Sequence, residues 1–179
     1  MAMEEVTDAI ALLESDHRKV EDLFEMFESA SGSDDKRKLA EQICNELKVH
    51  TTIEGEIFYP ALEGEIDEDM LSEAYVEHDG AKVLINDILA SDPDDEFYDA
   101  KVKVLSEAIE HHVKEEEEGM FIMARETDLD LDALGEEMMA RKQELMPQAE
   151  SNSLPEAELT AVSQSPMSGN SMGTNLGRS

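Results

Sequence analysis

The sequence predicts an all-α protein, an up-down-up-down four-helix bundle with a shorter fifth helix and a flexible C-terminal tail. Three observations carry this. Apolar residues recur at steps of three, four and seven over residues 1–148, the spacing of one buried helical face. No segment of comparable length alternates with period two, as a half-buried strand would. Breakers cluster at four places and divide this part of the chain into four long stretches and a fifth.

The first stretch carries Ile10, Leu13, Val20, Phe24 and Phe27 and stops at Ser31-Gly32-Ser33-Asp34. The second carries Ile43, Leu47, Ile57 and Ala61 and ends in the run from Pro60 to Asp67. Leu71, Ala74, Ala81, Ile85 and Ile88 mark the third, closed by Ser91-Asp92-Pro93-Asp94. Val102, Leu105, Ile109 and Met123 mark the fourth, which gives out near Thr127-Asp128. Short connections between four helices favour antiparallel neighbours with the apolar seams inward. The fifth stretch, Leu129 to Met146, presents Leu131, Leu134, Met138 and Met139 and is expected outside the bundle or across one end. Beyond it the composition turns to Ser, Gly, Pro and Asn. The expected division is therefore a helical domain over 1–148 and a disordered tail over 149–179.

Charge narrows the partners. With 14 Lys+Arg against 45 Asp+Glu the net charge is −31, which repels phosphate backbones and anionic lipid head groups and leaves cations as natural partners. Neither nucleic acid nor membrane is expected to bind. Cys44 is the single thiol and Met1-Ala2-Met3-Glu4-Glu5 is acidic where a secretion signal is basic, so a reduced, cytoplasmic setting is expected. No stretch approaches the ~20 apolar residues of a membrane span.

The polar residues inside the apolar seams are the informative ones. Stepping by four from Leu13 reaches His17, and the next step of three reaches Val20. The second seam runs Leu47, His50, Glu54, Ile57; the third runs Ala74, His78, Ala81; the fourth runs Ile109, His112, Glu116. Each helix of the bundle thus sends one imidazole inward, and two of them add a carboxylate one turn later. An unpaired buried carboxylate costs several kcal/mol even after relaxation, so these six groups need compensation. A metal centre supplies it, because neutral imidazole and carboxylate are ligands for first-row metals.

The four histidines also repeat. His17 to His50 is 33 residues and His78 to His112 is 34, and each second His is followed four residues later by Glu. The spacing alone is unspecific in so acidic a chain, since His17/Glu21 and His111/Glu115 share it. Agreement of seam position, repeat length and flanks is what carries weight: HTTIEGEIFYP and HVKEEEEGMFIM both place Glu at the fourth position after His and bulky residues at the eighth and ninth.

This combination resembles the hemerythrin-like family, in its cytoplasmic bacterial branch with a His, HxxxE, His, HxxxE cation-binding pattern. The resemblance spans residues 8 to about 126 and rests on Asp16-His17, on His50 to Pro60, on Glu77-His78-Asp79 and on Glu110 to Phe121. It implies a four-helix bundle around a non-haem di-iron centre, with His17, His50, His78 and His112 as terminal ligands and Glu54 and Glu116 as bridges. It further implies His17 with His50 on one iron and His78 with His112 on the other. Manganese is the alternative metal, since such sites accept either. Oxygen-carrying relatives resemble this pattern but have a further His one turn from the third-helix ligand, where this chain has Ala74 and Lys82. They also close the fourth helix with an acid at the place of Glu117. The resulting open iron position, free for water, peroxide or a carboxylate such as Glu115, points to reaction with oxygen or peroxide, in redox sensing or peroxide removal under stress. Reversible oxygen or iron binding without turnover, and a metal-ordered interaction module with an unidentified protein partner, are the alternatives.

Spacing also assigns several neighbours. Glu46 and Glu14 are expected to orient His50 and His17. Tyr59 and Tyr75 read as packing before they read as redox partners or hydrogen-bond donors, Met120 and Met123 as core, Cys44 as a small buried side chain and His111 as off the seam. A ferritin-like di-iron site needs Glu-x-x-His on two helices, and only Glu14/His17 fits. A zinc hydrolase needs three ligands and an open place, which six paired ligands do not resemble.

Overall fold

The computed structural model describes residues 8–162. Its helices are α1 (Ala9–Ser29), α2 (Ser33–Ile53), α3 (Tyr59–Leu62), α4 (Glu68–Ala90), α5 (Tyr98–Glu115), α6 (Phe121–Arg125) and α7 (Leu131–Glu150), with no strand among the described residues. A π-helical turn, Glu54–Phe58, joins α2 to α3, and a second, Glu116–Met120, joins α5 to α6. The bundle is therefore four rods, two of them interrupted in the same way, plus α7.

Local chemistry sets the starts. Asp8 accepts from the Ala11 N–H at 2.9 Å, Asp67 from the Asp69 and Met70 N–H groups at 2.8 and 3.3 Å, and Asp130 from Ala133 at 3.0 Å. Each side chain satisfies an amide that the helix cannot, and its charge suits the positive end of the dipole. α1 lies against α2 and α5, and α4 against the same two, which closes a ring of four. α7 lies across α1 and α2, burying Gly135, Met138, Leu145 and Ala149. At 20 residues it is shorter than each of the four rods, as expected.

Two apolar clusters fill the bundle. One gathers Ile10, Leu13, Ile53, Phe58, Leu62 and Phe121, the other Phe24, Phe27, Ile43, Leu47, Ile85 and Leu105. Along every rod the buried His lies between the stretches that feed the two clusters, so a polar layer separates them.

The π turns correct the predicted seams. Ile57 and Ala61 are only partly buried, whereas Phe58 and Leu62 are fully buried; in the other rod Met123 is partly buried and Ala124 fully. Each turn inserts one residue into the helical count, so the core face advances by one position beyond each glutamate.

The expected tail begins as a strap. Residues 151–162 have no regular structure, yet they are tied to α2 and α4: Asn45 donates to the Asn152 side chain at 2.7 Å, Lys48 to the Pro155 carbonyl at 3.0 Å, and Asn86 exchanges two 2.9 Å bonds with the Ala157 backbone. Fully buried Asp79 accepts the N–H groups of Thr160, Ala161 and Val162 at 2.8, 2.6 and 2.7 Å. Polar composition looks like a tail, but these side chains satisfy its backbone as secondary structure would. The remainder of the expected tail, 163–179, lies outside the described residues.

Candidate metal centre

All six seam residues meet in the polar layer. α1 brings His17, α2 brings His50, α4 brings His78 and α5 brings His112, all buried; Glu54 and Glu116 are the first residues of the two π turns and are 0% and 1% exposed. They form two donor sets that share both glutamates: His17, His50, Glu54 and Glu116, and His78, His112, Glu54 and Glu116. Each glutamate gives one oxygen to each set. In the first, His50 Nε2 is 3.1 Å from Glu54 Oε1 and His17 Nε2 is 3.2 Å from Glu116 Oε2. In the second, His78 Nε2 is 2.9 Å from Glu54 Oε2, and His112 Nε2 is 3.1 Å from both Glu116 Oε1 and His78 Nε2.

Two features fit a metal pair. Buried atoms normally have hydrogen-bond partners, yet His17 Nε2, His50 Nε2, Glu54 Oε1 and Glu116 Oε2, the whole of the first set, have none. Adjacent donors about 3 Å apart are also what metal bonds of ~2.1 Å at right angles produce. The donors are therefore suited to a binuclear site, and the shared carboxylates are placed to bridge it.

The far nitrogens are held by acids other than those expected. His50 Nδ1 meets Asp16 Oδ2 at 3.2 Å, His112 Nδ1 meets Glu77 Oε2 at 2.7 Å and His17 Nδ1 meets Glu117 Oε1 at 2.9 Å. Glu14 is exposed and Glu46 is turned to Lys19, so neither orients a ring. Glu115 pairs with exposed His111 at 3.1 Å and stays off the donor sets. The pattern missed in the sequence is a crossed one: Asp16 precedes His17 but orients His50, and Glu77 precedes His78 but orients His112. The repeated acid-His dipeptide was its signal. Asp16 is itself held by Lys142 of α7, and Glu117 by Arg18.

The charges are mutually compensating. Burial would depress the His50 imidazole, but Glu54 and Asp16 outweigh it and push it up to about 10. His112 is likewise raised well above its usual range, against burial, by Glu116 and Glu77. Burial favours protonated glutamates, yet His112 and His17 hold Glu116 well below the carboxylate range. Burial and Glu116 oppose ionisation of Glu54, and His50 and His78 still keep it lowered. Without metal, protons on His50 and His112 balance the two shared carboxylates, and a metal ion binding there would displace them.

Tyr59, read from sequence as packing, reaches the second donor set. Its hydroxyl donates to Glu116 Oε1 at 2.5 Å and lies 3.0 Å from His78 Nε2 and 3.3 Å from both Glu54 Oε2 and His112 Nε2. At the opposite side, a cavity of about 10 Å³ opens among the four imidazoles, walled by Val20, Leu47, Ile109 and Val113. That is room for about one water-sized molecule.

Known proteins agree with this architecture. The hemerythrin HHE cation binding domain model matches residues 8–124. A DNA nickase of Nostoc sp. is 30% identical over 117 residues, which cover 64% of this chain but 32% of the nickase, so the chain spans well under half of that relative. The solved structure of a hemerythrin HHE cation binding domain-containing protein from Mycobacterium kansasii superposes with a TM-score of 0.70 at 24% identity, over 83% of this chain and 95% of that one, and so shares the fold. With more than half of its length matched by the family model, the chain belongs to the hemerythrin HHE cation binding domain family.

Proposed function

We propose that the chain holds a non-haem di-iron centre that reacts with oxygen or peroxide, in sensing or removing the oxidant within a reducing cytoplasm. His17 and His50 would be terminal ligands of one iron, His78 and His112 of the other, with Glu54 and Glu116 bridging. The observation that carries the reading is the partnerless first donor set beside a cavity sized for one small molecule. Manganese would use the same donors.

When bound, two adjacent redox metals supply the electrons that reduction of peroxide, or of oxygen to the peroxide level, requires. The protein does the rest. Asp16, Glu77 and Glu117 hold the imidazoles in one tautomer and orientation, and the valine, leucine and isoleucine walls exclude bulk water from the small cavity. One turn from His78 the chain has Ala74, buried in the apolar core, and Lys82, directed to Asp79; neither adds an imidazole. That shortage of histidine favours turnover or sensing over oxygen carriage. The nickase activity named for the longer relative is not part of this proposal, because a net charge of −31 opposes approach of a phosphodiester backbone.

The test is to follow the visible spectrum of the iron-loaded protein under peroxide. Bleaching and recovery with consumption of peroxide is expected. A spectrum inert to both peroxide and oxygen would remove the redox reading.

A further inference from the structure

Among the described residues Lys48 is the one buried Lys or Arg, at 7% exposure, and it forms no ion pair there although Asp and Glu outnumber Lys and Arg by 45 to 14. Its ammonium carries three donors, and the described residues supply one acceptor, the Pro155 carbonyl of the strap at 3.0 Å. A buried charge without a counterion is costly, so the remaining donors call for an anion that the protein does not itself provide.

The side chain lines a cavity of about 540 Å³ bounded by α2, the first π turn, α4, α7 and the strap. That volume lies within the range of about 300–1,000 Å³ usual for small-molecule pockets. A second ammonium, Lys82 of α4, lines the same cavity, with its side chain 12% exposed and Thr160 Oγ1 at 3.4 Å. Its nearest acid, Asp79 at 3.6 Å, already accepts the three N–H groups of the strap. Nor do the glutamates at the cavity cancel these charges. Glu56 is held by Arg141 at 2.9 and 3.3 Å, and Glu156 and Glu158 are exposed on the strap. Val49, Leu145 and Leu154 supply an apolar wall.

We propose that this cavity binds an aliphatic monocarboxylate, with its carboxylate at Lys48 and Lys82 and its hydrocarbon body against Val49, Leu145 and Leu154. Phosphate sites draw on arginine forks or on the amides of helix N-termini. Here the one guanidinium, Arg141, commits all three nitrogens to Glu56 and Glu144, and α2 and α4 reach the cavity well past their N-termini. Two point charges beside an apolar wall suit a carboxylate on a carbon chain. The net charge of −31 does not forbid this, because charges beyond about 8 Å are largely screened at physiological salt and the two ammoniums are what an entering anion meets inside. The strap forms the roof through Leu154, Pro155 and Thr160, so an occupant holds it against α2 and α4. The site does not depend on the metal centre.

The full chain is titrated by calorimetry with octanoate, acetate and inorganic phosphate, as wild type, Lys48→Met, Lys82→Met and Lys114→Met. Methionine keeps an apolar stem and removes the charge. Lys114 is exposed on α5, away from the cavity. A single octanoate per chain is expected, bound more tightly than acetate or phosphate, with affinity lower by about tenfold or more in Lys48→Met and Lys82→Met and unchanged in Lys114→Met. In wild type, hydrogen exchange at residues 154–160 should slow when octanoate is added. No saturable octanoate binding, or binding that both cavity variants leave unchanged, would overturn the proposal. Acetate binding as tightly as octanoate, or phosphate binding more tightly, would overturn the assignment to an aliphatic carboxylate. Should Lys48→Met fail to fold by helicity and melting, Lys82→Met decides alone.

Discussion

Asp16 Oδ2 lies 3.2 Å from His50 Nδ1, so the residue that precedes one inward histidine orients another on the neighbouring helix. Glu77 and His112 repeat the relationship at 2.7 Å in the second half of the chain. A ring held in this way points its other nitrogen toward the centre, so that loss of that proton leaves a donor already aimed at a metal. The internal repeat therefore includes the orienting acids as well as the donors.

Asp16→Asn and Glu77→Gln are each expected to lower metal affinity ~10–100-fold, the usual loss when an orienting partner of a ligand is weakened. Glu14→Gln and Glu46→Gln, which touch no ring, should leave affinity unchanged. Competition against a chromogenic chelator measures all four; equal losses across the set would mean that general charge, not ring orientation, matters.

Metal binding is expected to release protons, because His50, raised to about 10, and His112 carry them in the metal-free protein. Affinity should rise as pH increases toward that range. The metal-free protein should behave oppositely above neutrality: the His50 contribution is complete below its usual 6.5 and fades as pH climbs toward 10. The Glu116 contribution is complete above its usual 4.5 and is lost as pH falls below it. Melting of metal-free protein is thus expected to peak between these limits, and calorimetry in buffers of different ionisation enthalpy should count the protons released. A proton count of zero would contradict the compensated network.

Asp79→Ala removes the carboxylate that receives three backbone N–H groups, and is expected to free the strap at a cost of about 1–3 kcal/mol. Hydrogen exchange should lose protection at residues 160–162 first. Against the cost of burial, those same N–H groups hold the Asp79 carboxyl below its usual range, so the strap should also loosen in acid. Unchanged exchange at residues 160–162 in the variant would remove the latch.

Cys44 is buried on α2, and burial pushes its thiol up to about 12. Thiol reagents are expected to modify it only after unfolding, so labelling should follow the unfolding curve. Rapid labelling of native protein would contradict the packing of α2 in the second apolar cluster.

How far the sequence could be read is clearest at the two glutamates. As far as Glu54 and Glu116 the α-helical count places every seam residue correctly, because propensity and burial agree there. Past them it fails by one position in both rods, naming Ile57 and Met123 where Phe58 and Ala124 are buried. A π turn adds a residue without any composition of its own, so apolar periodicity cannot register it. The same shift accounts for Tyr59. On an uninterrupted α-helix it would stand on the far side from His50, where the spacing implies packing; the inserted residue turns it onto the donors. Asp16 and Glu77 are hidden for a different reason. Spacing along a single helix reports only partners one turn away, whereas antiparallel packing brings the neighbour of the opposite histidine closer. The strap was hidden by composition, since its contacts belong to Asp79, Asn86, Asn45 and Lys48 and not to its own residues.

The most direct measurement is metal content per chain by plasma mass spectrometry, on protein prepared without chelators or affinity metals and compared with a His50→Ala, His112→Ala double variant. One metal for each of the two donor sets in wild type, lost in the variant, is the predicted result. Wild-type protein that takes up no metal even after anaerobic iron(II) loading would contradict the account, and would leave the buried imidazoles and carboxylates as a purely protonic network.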